Sequence, residues 1–200
     1  MFRKKTLYWL LFLVVFVHCQ PNTKNKEVAK EQKEAISQEE ALEIGQNLAI
    51  ASQQVLGKNL KLAIEKGGVL GAITFCNTAA IKLTDSMSIA HKHSIKRISD
   101  KPRNQMNQAS GAEEKLIAAY SKDLATGKNI RPSAFKKENG GYRYYQPIVS
   151  NKLCLNCHGV VGQQVNEKTF TQIKALYPND KATGYAANQI RGLWSIDIEK

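Results

Sequence analysis

Cys154-Leu155-Asn156-Cys157-His158 forms a C-x-x-C-H string, and its chemistry follows from its spacing. Two thiols three residues apart can each add to one vinyl group of a single haem, giving two thioethers along one edge of the ring. The histidine that follows is carried beneath the iron, where its imidazole becomes the proximal ligand. The string therefore predicts one covalent haem c, held through Cys154 and Cys157, with His158 on the metal. Plainer readings fit less well. Zinc would need a second ligand pair at suitable spacing, and the chain has none. A thioredoxin-like pair would sit in a βαβ pattern and would leave His158 without purpose. Unrelated disulfides are a third reading, since four cysteines allow three connectivities.

The other face of the iron has several candidates. Cys76 is left over once Cys154 and Cys157 are spent on haem and Cys19, at the end of an export signal, on lipid. An odd thiol in an oxidising compartment calls for a reason. It either ligates iron as a thiolate, which would lower the reduction potential, or serves as a small buried hydrophobe. His91 and His93 offer bis-histidine ligation, and Met87 and Met106 offer a thioether.

The elements that must position these groups can be read from caps and periodicity. Ser37-x-x-Glu40 is a capping box and starts a helix, with Ala41, Ile44, Leu48, Ala51, Val55 and Leu62 along one face. That stripe packs on the chain's own core or forms a homodimer seam. Gly67-Gly68 ends the helix, and the apolar run from Val69 to Leu83, carrying Cys76, predicts a second, buried helix. A short strand is expected over Ser94 to Ser99, then a loop through Pro102. Ser110-x-x-Glu113 opens a further helix, stopped at Gly127. Ser133 to Lys137 and Tyr142 to Val149 read as a hairpin about Asn139-Gly140-Gly141, with Pro147 near an edge. A helix over Asn166 to Tyr177 stops at Pro178, and alternating Trp194, Ile196 and Ile198 predict a half-buried closing strand. Helices in front and an antiparallel sheet behind make an α+β domain.

The amino terminus reads as an export signal. Arg3, Lys4 and Lys5 precede an apolar run from Leu7 to Val17, too short to span a bilayer comfortably. Cys19 closes the run, which suggests a lipoprotein signal over residues 1–18 with lipidation on Cys19, although His18 stands where a small residue is usual. Residues 19–37 are polar and read as a flexible tether, leaving 38–200 for the haem domain. Removing the signal lowers the net charge from +12 to +9, because Arg3, Lys4 and Lys5 leave with it. The remaining lysines are scattered and form no basic stripe, so nucleic-acid binding is not inferred.

Several spaced motifs extend beyond C-x-x-C-H: Phe75-Cys76-Asn77; Arg97 through Asn104; Tyr142-Arg143-Tyr144-Tyr145-Gln146-Pro147; Cys154 to Gly159; and Tyr177 through Tyr185. On these the chain resembles the bacterial single-haem c-type proteins of unassigned function whose haem domain has a PAS-like fold. The resemblance implies His158 and Cys76 as the two axial ligands. It also implies a five-stranded PAS-like antiparallel sheet with a long N-terminal helix. Arg97 and Arg103 lie in a matched motif and are candidates for the haem propionates, with Arg191 a further one. The chain departs from the pattern at Gln105 and Ala109, where prolines are usual, and at Asn188-Gln189, which replaces Gly-Asp.

Three function classes follow. A redox or small-ligand sensor would use a displaceable thiolate as a local switch, passing its signal to a redox or signalling partner. A membrane-tethered electron-transfer protein would need only one haem and an anchor. A peroxidase-like enzyme would need an open iron site and a distal base. The expectation is a non-enzymatic, periplasmic, lipid-anchored sensor, ahead of electron transfer.

Overall fold

Ser37 starts the first helix by accepting a hydrogen bond from Glu40 N at 3.1 Å. In the computed structural model, which describes residues 35–199, this helix, α1, runs Gln38–Thr78. The signal segment 1–18, Cys19 and most of the 19–37 tether lie outside the described residues. Gly67 (φ −140°) and Gly68 (φ 61°) leave helical geometry and divide α1 into two halves. Gly68 needs the left-handed region, which glycine enters at no steric cost.

The buried seam of the first half runs through Ala41, Gly45, Leu48, Ala49, Ser52 and Leu56. This differs from the expected stripe: Ile44, Ala51 and Val55 are half-buried and Leu62 is 42% exposed. Small residues win because the helix lies close on a sheet of aromatic side chains. A Cβ on Gly45 would stand 2.7 Å from Tyr144 Cδ1 and closer still to its Cγ and Cδ2.

The expected helix over Val69 to Leu83 is interrupted. Ala79 breaks it with φ −122°, and α2 begins afresh as Ala80–His91. Only Ala72, Ile73 and Ala80 are fully buried in that run, so it is not buried all round.

Strand β1 (Ser94–Ile98) follows, then a 3-10 turn at Gln105–Asn107 and α3 (Gly111–Ala125), whose capping box between Ser110 and Glu113 is complete. The hairpin forms as β2 (Ser133–Lys136) and β3 (Tyr142–Val149). Helices α4 (Lys152–His158) and α5 (Glu167–Leu176) precede β4 (Ile190–Ile198). The strands make one antiparallel sheet in the order β1-β4-β3-β2.

The described residues thus hold four strands where the resemblance implied five. Residues 99–109 spend their backbone on a bridged loop instead, with Ser99 N to Asn107 O at 2.9 Å and Ala109 N to Ser99 O at 3.0 Å. β2 pairs with β3 only as far as Tyr145, so Pro147 sits where the outer side of β3 has no neighbour and its missing N–H costs nothing.

The sheet is covered on both faces. Trp194, Ile196, Ile198, Tyr142 and Tyr144 pack beneath α1 and α2, while Leu193, Ile98 and Tyr145 pack beneath Ile117 and Tyr120 of α3. β4 is therefore buried on both sides rather than half-buried, as befits a central strand. At Asn188, where the family pattern has Gly, φ is 61°, a region asparagine tolerates better than most residues.

Candidate functional site

Asn151 caps α4, its Oδ1 accepting from Leu153 N at 2.9 Å and Cys154 N at 3.3 Å. The short helix sets Cys154, Cys157 and His158 at i, i+3 and i+4, on one face. The second half of α1 packs against this helix and α5, where Ile73, Val69, Val165, Ile173, Tyr177 and Cys157 form one apolar cluster. Gln172 of α5 secures that packing, its Nε2 donating to Leu70 O at 3.0 Å and Thr74 Oγ1 at 2.9 Å. Cys76 lies just beyond Ile73 on the same half-helix.

The imidazole of His158 is fixed from behind. Its Nδ1 lies 2.7 Å from the Ala182 carbonyl, so Nδ1 carries the proton and donates, leaving Nε2 with its lone pair. The Tyr185 ring stands edge-on at 6.4 Å, and Tyr185 N donates to His158 O at 2.9 Å. Burial first, then the charges of Arg191 and Arg103, holds the imidazole well below the ordinary histidine range. It is neutral, as a metal ligand must be.

The guanidinium charges of Arg97, Arg103 and Arg191 bear on Cys76 and His158 alike. Burial pushes the Cys76 thiol up, and the three arginines pull against it. Arg97 lies over the Trp194 ring at 5.9 Å, and Arg191 over Tyr185 at 5.3 Å. Arg191 donates from Nη1 to Ser99 Oγ at 2.8 Å, but its Nε is buried with no acceptor. Neither Arg97 nor Arg191 is ion-paired with a carboxylate among the described residues.

Arg103 has a different setting. Its Nε donates to Asp180 Oδ1 at 3.0 Å, and its Nη2 to the carbonyls of Cys157 at 2.6 Å and Ala182 at 3.3 Å. Its fork is taken up by protein acceptors.

The remaining histidines and methionines that the sequence offered stand elsewhere. His91 ends α2 on the surface, and His93 stands by Asp197 and Glu199 at the Ser94 end of β1, opposite Arg97. Met87 packs in the core under α2, and Met106 is 78% exposed. Among the described residues, no group of three or more His, Cys, Asp or Glu side chains converges. An open groove of about 850 Å³ lies on the α3 side, bordered by Leu116, Phe135 and Tyr145, away from this cluster.

A flat ring with two carboxylates fits the residues present. The residues offer a thiol pair and a neutral imidazole on one face of α4, a further thiol on the half-helix packed against it, and two guanidinium groups without a carboxylate, one with an orphaned buried donor. Sequence reading singled out each of these side chains but gave no role to Asp180 and Ala182. Asp180 lies in the Tyr177–Tyr185 motif, whereas a backbone carbonyl such as Ala182 O leaves no mark on the sequence.

The Tll0287-like family model matches residues 21–199. The chain belongs to the Tll0287-like family. Among solved structures, it is similar to the crystal structure of the cyanobacterial haem protein Tll0287, at 16% identity and a TM-score of 0.53. That match covers 76% of this chain and 95% of the other. No curated protein matches the chain. At such low identity the likeness to Tll0287 shows the fold: an α+β domain with a long helix and an antiparallel sheet.

Proposed function

We propose that this chain is an exported haem protein that senses redox state or a small ligand. Cys154 and Cys157 would hold one haem c covalently, and His158 and Cys76 would ligate its iron. Arg97 and Arg191 receive the propionates. Bound haem supplies a one-electron ferric/ferrous couple and an axial position that a ligand can contest. The observation that carries the reading is the bond from His158 Nδ1 to Ala182 O, which orients a neutral imidazole with Nε2 free. Membership in a family whose named relative is a haem protein supports it.

Sensing is favoured over electron transfer by the position of Cys76. It rides on a half-helix joined to the sheet-packed half through Gly67-Gly68, where a Cβ on either residue would meet nothing within 4 Å. Release or capture of the thiolate would bias that joint between two arrangements, and a redox or signalling partner would read the result. The electron-transfer reading draws on Leu153 and Val160, 54% and 38% exposed, which flank the thioether edge as an apolar docking rim. An enzymatic role is not proposed, because the histidines available as distal base stand at the other end of β1. The signal over 1–18 and lipid on Cys19 would place the protein on a periplasmic membrane face, and the outward residues Ile50 and Leu62 of α1 would serve a homodimer.

The test is the absorption and EPR spectrum of the matured holo-protein, ferric and ferrous, beside Cys76→Ala. A low-spin thiolate signature lost in the variant supports the reading. An unchanged variant spectrum removes Cys76 from the iron. A five-coordinate, high-spin wild type removes the switch.

A further inference from the structure

Arg103 is less exposed than an arginine ordinarily is, and so is its partner. Their side chains are 9% and 1% exposed, and the pair closes at 3.0 Å. The guanidinium reaches three segments at once: the loop after β1 that carries it, the C-terminal end of α4 through Cys157 O, and the loop over 180–182 through Asp180 and Ala182. Asp180 Oδ1 also accepts from Ala182 N at 3.0 Å, and Lys181 N donates to Pro102 O at 3.1 Å, so the loop is held from both sides. The carbonyl of Ala182 is the junction. It accepts from Arg103 Nη2 and from His158 Nδ1.

We propose that Arg103 is a positioning residue for His158, and that its buried pair with Asp180 sets the donor strength of the imidazole, a role that rests on the haem reading above. A cationic donor on Ala182 O draws density from the oxygen and weakens its pull on the Nδ1 proton. The imidazole then keeps less imidazolate character and gives less to the metal. Asp180 offsets part of the guanidinium charge and keeps the fork aimed. The Arg103 charge and the shared carbonyl therefore act in one direction, towards the ferrous form, and Asp180 acts against them.

The consequence is a pair of opposite signs. Arg103→Gln removes a cation from beside the iron ligands and returns the whole Ala182 oxygen to His158, so the midpoint potential falls. Asp180→Asn leaves the cation uncompensated, so the potential rises. Arg103→Lys keeps the charge without the fork and stays closer to wild type than Arg103→Gln does. A group that merely braced the loop would not shift the two variants in opposite directions.

The experiment is a spectroelectrochemical titration of the holo-protein with dithionite as reductant, on wild type and the three variants. Arg103→Gln is expected to lower the ferrous-to-ferric ratio at fixed potential by roughly tenfold, about 59 mV for one electron, and Asp180→Asn to raise it. Should Arg103→Gln fail to fold around haem, Asp180→Asn decides alone: an upward shift supports the role, and a null or downward shift overturns it. Midpoints unchanged in both variants, or moved the same way, overturn it as well. A wild-type chain that attaches no haem overturns the parent reading and this role with it.

Discussion

Gly45→Ala tests how α1 is seated on the sheet. In an open helix this change stabilises by about 1 kcal/mol, because alanine loses less backbone freedom than glycine. At position 45 the new methyl would lie 2.7 Å from Tyr144 Cδ1 and nearer to two other ring atoms. Ordinary carbon contacts lie at about 3.5–4.0 Å, so helix or ring must move by roughly 1 Å. The ring has no room to yield: Tyr144 is 0% exposed, and its hydroxyl donates to Gln146 Oε1 at 2.7 Å. Overpacking of this kind costs about 1–3 kcal/mol, which outweighs the propensity gain and leaves a net loss of about 1 kcal/mol. Gly57 supplies the control. It sits exposed in the same helix, and a methyl added there would meet nothing within 4 Å, so Gly57→Ala is expected to gain about 0.5–1 kcal/mol. Urea unfolding of both variants, followed by far-UV circular dichroism with the slope held constant, measures the difference. If Gly45→Ala stabilises as much as Gly57→Ala, the close seating of α1 on Tyr144 is wrong.

Three further outcomes follow from the same geometry. Burial pushes the Asp197 carboxyl up, but the hydrogen bonds and charges of Arg143 and Lys137 outweigh it and hold it below its ordinary value. The stability it contributes is present above the unfolded carboxylate pKa of about 3.9 and is lost as pH falls through the lower folded value. Asp197→Asn should cost about 1 kcal/mol at pH 7 and flatten the acid limb of a stability-versus-pH curve. In the haem-free chain the Cys157 thiol is pushed up to about 11, chiefly by burial, so at pH 8 its thiolate fraction is roughly two-hundredfold below that of a free cysteine. Iodoacetamide labelling read by peptide mass should be slower in that proportion. Gln172→Ala removes both bonds that tie α5 to the Cys76-bearing half of α1, and should cost about 1 kcal/mol in urea unfolding.

Much of this molecule is legible in its sequence because the informative signals are local. Ser37, Ser110 and Asn166 mark helix starts by their own hydrogen bonds, Gly67-Gly68 marks a break by its backbone freedom, and the Lys137–Gly141 turn closes the hairpin. What periodicity misses is set by tertiary contact. The seam of α1 follows Gly45, Ala49 and Ser52 because the opposing surface is aromatic, and a hydrophobicity pattern gives small residues little weight. β4 alternates in sequence yet is covered on both sides, since α3 covers the face that alternation assigns to solvent. Within the site, Cys154, Cys157 and His158 announce themselves by spacing. The division of labour among Arg97, Arg103 and Arg191 does not, because it depends on which guanidinium meets Asp180 and which meets none.

The order of the strands bears on how the chain is assembled. β4 is the last element in sequence, and it lies between β1 and β3 in space. Until Ile190–Ile198 is in place, the two sides of the sheet have no shared neighbour, and the partnerships Ser94↔Asp197 and Tyr142↔Ile198 wait for the far end of the chain. Closure is a late, long-range event, slow compared with formation of α3 or the hairpin. Arg191 is carried on that same strand, so its guanidinium takes its place on Tyr185 and Ser99 only once β4 has docked.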